Sequence, residues 1–89
     1  MIVKARWRRS FAGAWNYYVG EFWLMKIYKT KKGVSSESVL GLRDSKQHKT
    51  LDQAIVRVQE ATNEFVASIS PDLVVEHDPE EPDFSEVDQ

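Results

Sequence analysis

A chain of 89 residues has room for one small domain. Its 12 Lys+Arg against 14 Asp+Glu leave a net charge of −2, with 42 % apolar residues and no cysteine. A disulfide scaffold, a thiolate zinc site and a thiol nucleophile are therefore excluded. The longest apolar stretch, Phe22 to Met25, falls far short of the roughly 20 residues a membrane-spanning helix needs.

At the start, Lys4, Arg6 and Arg8 alternate with Val3, Ala5 and Trp7, the period-two pattern of a strand with one basic and one apolar face. Those charges stand where a signal peptide would carry its apolar region, so the expected compartment is the cytoplasm. Ser10 to Gly20 reads either as a loop or as a loop holding an extra strand over Trp15 to Val19. Phe22 to Thr30 is rich in aromatic and branched residues and forms the next strand. Lys31-Lys32-Gly33 then supplies a hairpin loop, and Val34 to Leu42 the returning strand. Arg43 to Lys49 leads into the clearest element. Thr50-Leu51-Asp52-Gln53 is a capping box, followed by an apolar stripe of Leu51, Ala54, Ile55, Val58, Ala61, Phe65 and Ile69. Ser70-Pro71 stops it, which places a helix over 51–69. Leu73-Val74-Val75 adds a short strand or docks on the domain.

The eightfold spacing of Trp7, Trp15 and Trp23 is not a repeat, because the residues that follow each share nothing. Trp7 and Trp23 are assigned to the core, and Trp15, Tyr17 and Tyr18 to exposed positions. From Asp78 the chain reads Asp-Pro-Glu-Glu-Pro-Asp, too polar to offset its ordering entropy. The expected fold is α+β over residues 1–77. It comprises a three- or four-stranded antiparallel sheet with one C-terminal amphipathic helix packed on one face. Residues 78–89 follow as a disordered acidic tail. A core of that size is marginal and leaves room for homodimerisation.

Charge is distributed unevenly. Residues 1–33 hold eight cations against Glu21 alone, whereas residues 68–89 hold eight acids and no Lys or Arg. One helix covers one face of a sheet, so the second face must be wet, paired or bound. An ammonium is costly to bury, so the set Phe22, Leu24, Lys26 and Tyr28 is assigned to the open face, with Trp23, Met25 and Ile27 under the helix. Lys4, Arg6, Arg8, Lys29 and Arg43 join the binding set. Lys31 and Lys32 stand in the hairpin loop beside it. Eight of the ten aromatic residues fall between Trp7 and Tyr28, interleaved with the cations.

Cations for phosphates beside rings for bases point to a nucleic-acid (DNA) binding module, modulated by the acidic tail. The same composition describes a protein-interaction surface, an adaptor or an inhibitor, and this second reading stays open. The Trp- and Arg-rich first strand, the hairpin with Gly33 and the helix with Ala54 near its start resemble small DNA-binding modules such as integrase arm-binding domains. The resemblance implies a three-stranded sheet, backed by a helix, entering the major groove. His48 and His77 have no second histidine at ligand spacing, and there is no HExxH, Gly-rich phosphate loop or GxSxG. No cofactor, metal or membrane contact is expected, and no carboxylate pair compels acid–base chemistry.

Overall fold

The computed structural model of the chain describes residues 1–10, 13–39 and 45–84. The alternating start becomes β1 (Ile2–Arg9), with Ala5 and Trp7 buried and Lys4 and Arg8 exposed. β2 (Trp15–Val19) follows and pairs antiparallel with both β1 and β3 (Phe22–Thr30). The β2–β3 turn has two residues, Gly20-Glu21, and Gly20 takes the positive φ of +62° that such a turn requires. β4 (Gly33–Ser38) returns antiparallel to β3 after the turn at Lys31-Lys32. Gly33 has φ +142°, and a Cβ there would run into the His48 carbonyl oxygen, so the position demands glycine twice over.

Two further strands extend the sheet beyond the expected three or four. β5 (Ser45–His48) pairs antiparallel with β4, and β6 (Val74–Glu76) pairs parallel with β1. The result is one curled, mixed six-stranded sheet in the order β5-β4-β3-β2-β1-β6. Between its two edges runs α1 (Leu51–Ile69), at the boundaries its sequence pattern indicates. Nineteen residues span about 28 Å of helix. Five inter-strand gaps span about 24 Å of sheet. The helix is thus long enough to carry the chain from β5 at one edge to β6 at the other. That crossing is why the last strand lies parallel to the first.

Thr50 Oγ1 accepts the Gln53 N–H at 3.2 Å, while Gln53 Oε1 accepts the Lys49 N–H at 3.1 Å, one residue upstream of the usual reciprocal partner. The buried helix row is Ala54, Ile55, Val58, Thr62 and Val66. Phe65 is only partly buried and Ile69 is exposed, so the apolar stripe read from sequence lies rotated from the true contact line. Thr62 enters the core at no hydrogen-bonding cost because its hydroxyl donates to the Val58 carbonyl at 2.8 Å.

The acidic segment corrects the sequence reading from its first residues. Rather than leaving the domain at residue 78, the chain is strapped across the helix side of the sheet as far as residue 84. The Asp78 carboxylate accepts the Trp7 N–H at 2.9 Å, beyond the point where β6 stops pairing with β1. The Asp83 carbonyl accepts the Trp15 indole N–H at 3.1 Å. Pro82 is buried, and Phe84 is 7 % exposed within the same core cluster as Trp7, Tyr17, Ile27 and Val58. His77 anchors the strap at its start. Its Nε2–H donates to Asn63 Oδ1 on α1 at 2.9 Å, which leaves Nδ1 to accept the Tyr17 hydroxyl. Burial pushes Tyr17 up to about 12, keeping it a donor, and pushes His77 below its ordinary value. Residues 85–89 lie outside the described residues.

Candidate nucleic-acid interface

Directly paired residues of neighbouring strands share a face, so the register sorts every side chain. One row on the side away from α1 reads Arg6, Tyr18, Trp23 across β1, β2 and β3. The next reads Arg8, Asn16, Lys26, Glu37 across β1 to β4, and a third places Tyr28 beside Ser35 and Gln47. Lys4 stands opposite Glu76 at the β6 edge. The opposite rows contain Trp7, Tyr17 and Met25, or Trp15, Ile27 and Ser36, and these face the core.

Contacts on the open face bind rings to cations. The Arg8 guanidinium lies over the Tyr18 ring at 4.6 Å, and Lys26 Nζ is 5.9 Å from the Tyr28 centroid. Glu37 joins two of these groups, at 3.5 Å from Lys26 Nζ and accepting the Tyr28 hydroxyl at 2.7 Å. Arg6 reaches Glu76 at 3.7 Å and donates to the Ala5 carbonyl at 2.8 Å. Both ion pairs are substantially solvated and worth about 0–1 kcal/mol each, so they orient the cations without neutralising them irreversibly.

Of the residues singled out from the sequence, Lys4, Arg6, Arg8, Lys26 and Tyr28 come together on this face. Phe22 does not. A register shift opposite Tyr17 and Tyr18 makes Tyr18 pair with Trp23 while Tyr17 pairs with Met25, so Leu24 is an extra residue in β3. The phase of the strand changes at that bulge. Phe22 falls on the helix side, its ring 6.2 Å from that of Phe65, and Trp23 takes the place expected for Phe22. Trp23 is 39 % exposed rather than in the core, and Tyr17 is 0 % exposed rather than on the surface. Lys29 shares the phase of Ile27, off the open face, beside Gly33 and Phe84. Lys31 and Lys32 are exposed in the β3–β4 turn, and Arg43 lies outside the described residues. The ring of Tyr18 is the partner that alternation alone did not supply, because β2 was not fixed as a strand.

The sheet also separates charge. Exposed acids of α1 (Asp52, Glu60, Glu64) and of the strap (Glu80, Glu81, Asp83) belong to elements on the helix side, whereas Lys4, Arg6, Arg8 and Lys26 occupy the other together with only two acids, Glu37 and Glu76, among the described residues. The described part of the acidic segment therefore does not lie over the cations. Among the described residues no three His, Asp or Glu are grouped to hold a metal ion, and no helix is long and apolar enough to cross a membrane. No protein-family model, no curated protein and no solved structure matches the chain.

Proposed function

We propose that the protein binds nucleic acid through the face of the sheet that neither helix nor strap covers. The observation that carries this reading is the alternation of cations with aromatic rings in adjacent rows of that face, with Arg8 over Tyr18 at its centre. Cations there displace condensed counterions from phosphates, and the rings offer flat apolar surface between them. The acids on the opposite side orient the molecule, so that a polyanion meets the basic face first.

The test is binding of labelled DNA and RNA across a salt series. Changing Lys4, Arg6 and Arg8 together to Gln is expected to reduce the slope of log K against log salt by about 2–3, the value for three lost phosphate contacts. Absence of binding by the unaltered chain at low salt overturns the reading. The protein-interaction alternative then takes precedence, supported by Ile2 and Val74, which pair across β1 and β6 yet remain 65 % and 61 % exposed.

A further inference from the structure

We infer that the nucleic acid is single-stranded, and that an unpaired base stacks on Trp23 while its backbone tracks across the sheet past Tyr18 to Arg6 and Arg8. This rests on the reading of the open face above and goes on to specify its ligand.

A duplex presents phosphates and the edges of stacked bases, and its base faces are hidden. An exposed ring on a sheet face therefore gains little from a duplex, and much from a base that has left its stack. Trp23 is such a ring. It stands on β3 in the row Arg6–Tyr18–Trp23, two strand spacings from Arg6, or about 10 Å. Beside it, at the tip of the β2–β3 hairpin, an open cleft of about 630 Å³ is lined by Glu21, Trp23 and Val39 together with Val19 and Phe22 of the helix-side row, so it reaches around the hairpin tip. Four of these five are hydrocarbon or aromatic, which suits the body of a base. The fifth, Glu21, is an exposed carboxylate and keeps phosphate out, so the base enters and the backbone is directed toward the cations. At Tyr18 the guanidinium of Arg8, from the next row, lies over the ring at 4.6 Å and either offers a second cationic platform or yields the ring itself to the next base.

The experiment compares a short single-stranded oligonucleotide with its own duplex, using the full chain and two variants. Trp23→Ala removes the ring, and Trp23→Leu removes it while keeping apolar volume. Both are checked for an unchanged far-ultraviolet spectrum and melting curve. The single strand is expected to bind more tightly than the duplex. Both variants are expected to lose about 5- to 150-fold in single-strand affinity, the cost of one lost base–aromatic stack. Their salt slope should be unchanged, because the lost contact is uncharged. Equal affinity for duplex and single strand, or a Trp23→Leu variant that is folded and binds normally, overturns the inference. In that case binding that still weakens in the Lys4, Arg6, Arg8 triple variant leaves the basic face as the interface. Failure of every nucleic acid to bind removes the reading of the face itself.

Discussion

On one side of the sheet Trp7, Tyr17, Met25 and Ile27 are packed beneath two different covers, α1 and the strap of residues 77–84. On the other side, among the described residues, neither α1 nor the strap lies over Arg6, Arg8, Tyr18 and Trp23. Both sides are rich in aromatic residues, so aromatic content does not distinguish core from surface here. What distinguishes them is the company the rings keep. On the covered side their polar atoms are satisfied internally, by His77 for Tyr17 and by the Asp83 carbonyl for Trp15. On the open side they are paired with flexible cations that solvent or a ligand can displace. Substitutions on the covered side should act on stability, and those on the open side on binding.

The sharpest way to break this contrast is to remove the strap's anchor. Phe84→Ala should cost about 3–5 kcal/mol, the usual range for a buried aromatic truncation, against a total of roughly 0.05–0.15 kcal/mol per residue. Chemical denaturation measures it, and a loss below 1 kcal/mol would show that residues 78–84 do not belong to the core. Phe65→Ala, at a partly buried site, should cost less than Phe84→Ala. A smaller loss, about 1–3 kcal/mol, is expected for Asp78→Ala, which leaves the Trp7 N–H without its acceptor.

Acid should loosen the strap next. The folded state lowers the pKa of His77 through burial, so the unfolded chain takes up a proton more readily near the ordinary value of 6.5. Stability is full above that pH and declines as pH falls through it toward the lower folded value. Protonated Nδ1 also ceases to accept from Tyr17. His48 is lowered too, by burial first and then by Arg57 and Lys46, and contributes with the same sign. Melting temperature followed from pH 8 to 5 should therefore fall, and His77→Gln should flatten the fall without abolishing it. A profile that is flat in the wild type would refute the role given to this residue. The smallest effect belongs to the open face. The triple change of Lys4, Arg6 and Arg8 to Gln should alter stability by no more than about 0.5 kcal/mol per site, whatever it does to binding. A larger loss would mean the face is structural.

Much of this was legible in the chain. The Thr50 cap with Gln53 and the Ser70-Pro71 stop carried the helix to the residue, since both act locally. Lys31-Lys32-Gly33 marked its turn because only glycine tolerates the approach of the His48 carbonyl. Three features were not legible, each for its own reason. β5 reads Ser45-Lys46-Gln47-His48, with no apolar alternation, and is held by pairing with β4 rather than by burial. The bulge at Leu24 inverts the phase of β3, so simple alternation exchanged Phe22 with Trp23. The strap is acidic on average, and averaging hid Phe84, the one aromatic residue after Phe65 and the one that counts. The resemblance to major-groove sheet modules carried the general α+β character but not the six-stranded order or the parallel edge.

The parallel pairing of β6 with β1 has a consequence for how the molecule is made. Synthesis delivers the β1–β4 hairpins first, and their contacts are short-range and quick to form. Yet Trp7 and Tyr17, among the earliest aromatic residues to emerge, acquire His77, Asp78 and Phe84 only after more than half the chain has been added. Until residue 84 has left the ribosome, the nascent sheet carries an unsealed apolar face and an unguarded β1 edge, the two features most prone to capture by another chain. The last described residues thus decide when the first ones become safe from aggregation.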